Sequence, residues 1–187
     1  MSAFFKHQLA DYVEYHRDPW NCAMHVFGII ALFFAAILPL SLWPIGALGV
    51  HTTLAPLMVL PVLAYWLVLD AAIGTAILGA AVVLLSAAAF VVSHASPTAV
   101  WSVTTMLIVI GIGFQVVGHR VFEQRQPALV DNPSHLLLGP MFVMAKLFIA
   151  LGFRRDLAAI IQTVPPQAQR DPSPLANKHQ VEPLPRS

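Results

Sequence analysis

Apolar positions along this chain run almost unbroken over long stretches, where a soluble helix would stripe them or a strand alternate them. Four such stretches cover about 24–43, 54–69, 71–92 and 99–118. Crossing a bilayer takes about 20 mostly apolar helical residues, so each predicts a transmembrane helix. The second is short and holds Pro56 and Pro61, which predicts a kink or an extension back toward Gly49. The third is rich in Gly74, Ala76, Gly79, Ala80, Ala87 and Ala88, small residues that let helices approach closely in lipid. Before the first span, Phe4, Phe5, Leu9, Tyr12 and Val13 fall on or near one face of an amphipathic helix ending near His16. That segment has no apolar core of the signal-peptide kind. A fifth apolar stretch, 136–153, contains Pro140 and Lys146 and runs into Arg154 and Arg155, so it reads as an interfacial or re-entrant helix. From Gln162 onward the chain is Pro-rich and polar, as a disordered tail is. The expectation is an all-α polytopic membrane bundle, a single domain over 1–161 with a tail over 162–187.

Composition sharpens this. Only 10% of residues are charged and 58% are hydrophobic, against about 25% charged in a typical soluble domain. Between Val26 and Val117 the sole charged residue is Asp70. An ordinary water-soluble protein is excluded. The net charge of +1 gives no reason to expect a nucleic-acid partner. The single cysteine, Cys22, excludes a disulfide framework and a cysteine metal cluster, and reads as a small apolar residue near a helix start. Lys6 and Arg17 precede the first span and Arg120 and Arg125 follow the fourth, whereas loops 44–53 and 93–98 carry no Lys or Arg. The positive-inside rule puts both ends in the cytoplasm. The short loops and compact size fit a bacterial inner-membrane protein.

That topology brings His16, His25 and His119 to one membrane depth. Asp18-Pro19 reads as an N-cap followed by proline at the first helical position, which sets Asn21 and His25 at i and i+4 on one face. Gln115, His119 and Glu123 are likewise spaced by four. Three imidazoles and the Glu123 carboxylate, with Asn21 and Gln115 beside them, make a candidate site for iron(II), manganese or zinc. The competing reading has each histidine at the headgroup level with its ring reaching water, and Glu123 as a solvated ion pair. His51 and His94 fall in the opposite loops, where they cap helices or face water. His135 is a helix cap or an extra ligand. Asp70 lies at the turn between the second and third spans, where the reading as an N-cap outweighs that of an intramembrane acid.

Two segments carry a family resemblance. The run Tyr15-His16-Arg17-Asp18-Pro19-Trp20-Asn21-Cys22-Ala23-Met24-His25-Val26-Phe27-Gly28 resembles the first motif of the fungal-type 2-hydroxy fatty acid dioxygenases. In that motif a Tyr-His pair is followed by Asn five residues on and by a second His four later. The run from Phe114 through Gln115, His119 and Glu123, continuing to Pro127-Ala128-Leu129 and Asp131-Asn132, is similar to the second. Tyr65-Trp66 through Asp70 to Gly74 is similar to a weaker central segment, and the whole covers about residues 7–156. The resemblance implies a membrane enzyme using Fe(2+) and dioxygen to shorten a long-chain 2-hydroxy fatty acid by one carbon. It maps the motif histidines onto His16, His25 and His119, and the accompanying polar positions onto Asn21 and Glu123. Arg17, Arg120 and Gln115 become candidates to hold the substrate head, although the two arginines read equally as cytoplasmic anchors. One departure stands out: Lys146 occupies a place where many relatives carry an acid.

Two other classes compete. A haem-binding bundle would want its axial histidines well inside the helices, whereas His25 and His119 sit at the rim. A small transporter would show polar groups near the midplane, where this chain offers mainly Ser86, Thr104 and Thr105.

Overall fold

The structure is a computed structural model and describes residues 2–47, 50–124 and 135–162. In chain order it contains α1 (Ala3–Glu14), α2 (Pro19–Leu40), a hairpin of β1 (Pro44–Ala47) and β2 (Val50–Thr53), α3 (Leu54–Leu69), α4 (Ala71–His94), α5 (Pro97–Val117) with a π-helical continuation Gly118–Glu123, α6 (His135–Ala150) and α7 (Arg155–Gln162). The fold is an all-α, membrane-like bundle. Among the described residues, three helical stretches, Pro19–Leu40, Ala71–His94 and Pro97–Glu123, are long and apolar enough to cross a bilayer. Their outward faces stay apolar: Val83, Phe90, Val109 and Ile112 each expose more than half of their surface. Such a surface is stable in hydrocarbon, where the helical backbone satisfies its own polar groups.

The second apolar stretch forms a helix, α3, with the bounds expected of it, Leu54–Leu69, and is short as expected. α3 has 16 residues, about 24 Å at 1.5 Å per residue, short of the roughly 30 Å hydrocarbon core. It does not extend back toward Gly49, because Pro44 pairs with Thr53 and Ile45 with Thr52 in an antiparallel hairpin. The loop expected over 44–53 is therefore partly strand, in keeping with its β-branched Ile45, Val50, Thr52 and Thr53. The fifth apolar stretch does not cross as one straight helix, since α6 and α7 meet at a bend of 118°. Gln162, expected to open the tail, ends α7; the rest of the tail, Arg125 and the 127–132 part of the second motif lie outside the described residues.

Helix starts follow the caps written in the sequence. Asp18 accepts from the Trp20 and Asn21 backbone N–H groups, with Pro19 at the first helical position of α2. Asp70 caps α4 by accepting from Ile73 N–H at 3.0 Å. It also receives both Arg154 guanidinium nitrogens, at 2.9 and 3.0 Å. That pair ties the α3–α4 turn to the α6–α7 bend, and Ser2 N–H donates to Leu69 O at the same end. α1 buries Phe5, Leu9, Tyr12 and Val13 against the bundle, whereas Phe4 stays 55% exposed and off the packed face. α2 and α5 touch backbone to backbone: a Cβ on Gly28 would lie 3.0 Å from Gly111 O, and one on Gly111 would lie 3.1 Å from Gly28 O. Only glycine permits that approach, and it sets the helix ends that carry His25 and His119 side by side.

Candidate metal centre

His16, His25 and His119 are each at most 3% exposed. They offer ligand atoms that all lie within 4.8 Å of one another. Their rings meet edge to face, with centroids 4.3 Å apart for His16–His25, 4.6 Å for His25–His119 and 5.0 Å for His16–His119. Such close packing leaves no slot for a macrocycle between two axial imidazoles.

Local structure explains each position. His16 sits in the break between α1 and α2, where its ring stacks on Tyr12 at 4.0 Å. Its Nδ1 lies 2.9 Å from Tyr12 O. A carbonyl only accepts, so Nδ1 carries the proton and Nε2 keeps its lone pair. That Nε2 is buried with no hydrogen-bond partner. His25, one α2 turn after Asn21, makes the same kind of contact from Nδ1 to Asn21 O at 3.1 Å, which again frees Nε2. His119 Nδ1 is buried and unpartnered as well. Burial, reinforced by the neighbouring imidazole of His25, pushes His16 down to about 2. It is therefore neutral at any physiological pH, as a metal ligand must be. Neutral imidazoles with orphaned buried nitrogens and no thiolate suit a divalent transition metal.

Glu123 is placed differently from the expectation of a fourth ligand. Oε1 accepts from Arg17 N–H at 3.0 Å. Oε2 accepts from Asp18 N–H at 3.0 Å and from Asn21 Nδ2 at 2.9 Å. The wider π turn beginning at Gly118 shifts Glu123 off the α-helical i+4 direction from His119 and onto the start of α2. Asn21 thus joins the clamp through its amide nitrogen, and its Nδ2 also donates to Tyr15 O at 3.2 Å. A Cβ on Gly118 would collide with Asn21 Oδ1, so glycine is required at that contact.

A cavity of about 360 Å³ opens beside the imidazoles, lined by all three together with Gln115, Tyr12 and His135. Gln115 is where the spacing placed it. Arg17 and Arg120 do not line this cavity, and Arg120 is exposed. His135, read from the sequence as a helix cap or an extra ligand, lines the same cavity. It is 3% exposed, and its Nε2 lies 3.1 Å from the half-buried Asp11 carboxylate, with the ring against Tyr12. Lys146 does not reach the imidazoles; its Nζ donates to Cys22 Sγ at 2.9 Å and lies over the Phe142 ring. Cys22 Sγ in turn donates to His16 O at 3.3 Å. His94 meets its expectation as a helix-end residue, with Nδ1 donating to Phe90 O at 2.8 Å.

Comparison with known proteins agrees with the two motifs. The profile of the 2-hydroxy-palmitic acid dioxygenase Mpo1-like family matches residues 2–151. The chain is 30% identical over 156 residues to the 2-hydroxy-palmitic acid dioxygenase MPO1 of Saccharomyces cerevisiae, covering 83% of this chain and 86% of the yeast protein. No solved structure matches. With its motif histidines gathered into one buried cluster, the chain belongs to the Mpo1-like family of 2-hydroxy-palmitic acid dioxygenases.

Proposed function

We propose that this protein is an iron(II)-dependent dioxygenase that shortens long-chain 2-hydroxy fatty acids by one carbon. The observation that carries the reading is the buried trio of His16, His25 and His119, with ligand atoms within 4.8 Å of one another. In the overall reaction the bond between the carboxyl carbon and the hydroxyl-bearing carbon breaks. Dioxygen is the oxidant, the hydroxyl-bearing carbon becomes the new carboxyl, and the old one leaves as carbon dioxide with water. Iron(II) supplies the one-electron chemistry that lets ground-state dioxygen react with a closed-shell acid.

The chain's own residues do the rest. Tyr12 O and Asn21 O fix the proton on Nδ1 of His16 and His25, leaving Nε2 of each for the metal. Glu123 holds the start of α2 against the end of α5, which keeps His25 and His119 in register. Gln115 faces the cavity and offers an amide to the carboxylate or hydroxyl of the substrate. Tyr12, Leu136 and Ile112 add apolar surface to the cavity lining. Residues 1–161 act as one membrane-embedded unit whose histidine-bearing end, with Lys6, Arg17, Arg120 and Arg154, faces the cytoplasm of a bacterial cell. Arg17 and Arg120 then serve as anchors.

The test is incubation of iron(II)-loaded protein, purified without oxygen, with 2-hydroxypalmitate and dioxygen. A fifteen-carbon fatty acid is the expected product, lost in His25→Ala and in His119→Ala. Absence of that product from the iron-loaded protein overturns the reading.

A further inference from the structure

A second cavity, of about 300 Å³, lies deeper in the bundle between α2, α3, α4 and α6. Its wall carries no charged or hydroxyl-bearing side chain among the described residues. The only N–H group on its side chains, Trp66 Nε1, is already donated to Leu137 O at 2.7 Å. Nothing polar has reason to bind there. Ile29 and Phe33 line both this cavity and the one beside the histidines. Opposite them, Gly139 lines the first cavity and Pro140 the second. A Cβ on Gly139 would lie 2.7 Å from Ile29 Cδ1, so the glycine gives Ile29 its room at the junction.

The two walls form one stripe on α2. His25, Ile29, Phe33, Ala36, Ile37 and Leu40 recur at three- and four-residue spacing on a single face. From His25 to Leu40 that stripe rises about 22 Å at 1.5 Å per residue. Carbon–carbon bonds of about 1.5 Å advance an extended hydrocarbon by roughly 1.3 Å per carbon, so about seventeen carbons fit the same length.

We propose that the two cavities are one acyl-chain tunnel, with Ile29 and Phe33 as its throat and the deeper cavity as the ruler that sets substrate chain length. This rests on the reading of the histidine site as the place where the 2-hydroxy acid head is held. The small residues Ala36, Ala80 and Ala81 along the deeper wall determine how far the chain reaches.

The experiment uses Trp66, which lines the deeper cavity and is 3% exposed, whereas Trp20, Trp43 and Trp101 are all more than half exposed. In the full chain carrying W20F, W43F and W101F, Trp66 is the only fluorophore of its kind. Metal-free protein in detergent is titrated with 2-hydroxypalmitate dibrominated at mid-chain, on carbons 9 and 10, which the stripe places level with Phe33, whose ring lies 5.8 Å from that of Trp66. Saturable quenching is expected, competed by unlabelled 2-hydroxypalmitate and absent with a terminally brominated 2-hydroxybutanoate, which is too short to reach the throat. Ala81→Phe fills the cavity and should weaken the quenching affinity by about tenfold or more, the equivalent of roughly two buried methylenes. Ala80→Phe, on the open side of the wall, should do the same without burdening the fold. Either variant should raise the ratio of 2-hydroxyoctanoate to 2-hydroxypalmitate turnover by a similar factor. Quenching that never saturates, or that both variants leave unchanged, means that detergent or bilayer lipid fills the space and overturns the tunnel. Saturable, variant-sensitive quenching without turnover upholds the tunnel and sinks the dioxygenase reading instead.

Discussion

Asn21 and Glu123, 102 residues apart, are joined by a 2.9 Å hydrogen bond from the amide Nδ2 to Oε2. The same carboxylate also takes the Arg17 and Asp18 backbone N–H groups. Its position couples the helix that carries His25 to the turn that carries His119.

Glu123→Gln is therefore expected to act on folding before it acts on metal. A carboxylate accepting three hydrogen bonds is replaced by an amide with one acceptor oxygen and an NH₂ facing N–H donors. The expected cost is about 2–3 kcal/mol in the metal-free protein, read as a lower unfolding midpoint, with weaker iron binding as a consequence. If Glu123 were a ligand and no clamp, the metal-free protein would unfold as the wild type does and only iron would be lost.

Asp70 gives the clearest pH dependence. Burial alone would push its carboxyl up, but the Arg154 guanidinium and the Ile73 N–H outweigh that and hold it below the ordinary 3.8. A depressed folded pKa contributes stability that is fully present above 3.8 and lost as pH falls through the folded value. Wild-type protein should lose stability below that pH, measured by thermal unfolding in detergent, and Asp70→Asn should show a flatter profile there. At neutral pH Asp70→Ala should cost about 1–2 kcal/mol, because it removes the N-cap of α4 and one of the two carboxylates on the Arg154 guanidinium, which keeps Asp156 at 2.9 Å. Parallel profiles for wild type and Asp70→Asn would show that the pair contributes nothing.

The α2–α5 contact is tested away from the chemistry. Gly111→Leu would press on Leu32 and on Gly28 O, for an overpacking cost of about 1–3 kcal/mol, and should part the helix ends that bear His25 and His119. Iron affinity should fall with stability. Gly113→Leu, whose Cβ meets nothing within 4 Å, should leave both unchanged. Equal behaviour of the two variants would mean that close glycine packing does not position the site.

Much of the site was legible because the chemistry lies at helix starts and ends, where sequence signals are strongest. Asp18-Pro19 fixed where α2 begins, and hence that Asn21 and His25 share a face. The Lys- and Arg-free loops fixed that His16, His25 and His119 meet at one end. What could not be read was geometry that local spacing does not encode. The π turn after Gly118 re-aimed Glu123 from the imidazoles to the backbone of α2, and four-residue spacing assumes an α-helix throughout. The Asp70–Arg154 pair joins positions 84 apart, and no local pattern announces it. The hairpin of 44–47 with 50–53 was hidden by apolar composition, which is the same for strand and span. The deeper cavity is a matter of side-chain volumes on four helices and has no linear signature.

The central claim is that His16, His25 and His119 together hold one iron. Iron content per chain, measured after anaerobic iron(II) loading and desalting, tests it most directly in the wild type and in His16→Ala, His25→Ala and His119→Ala. The prediction is about one iron per wild-type chain and a loss of more than roughly tenfold in each variant, with helix content unchanged. One iron per chain retained in any of the three variants would contradict it.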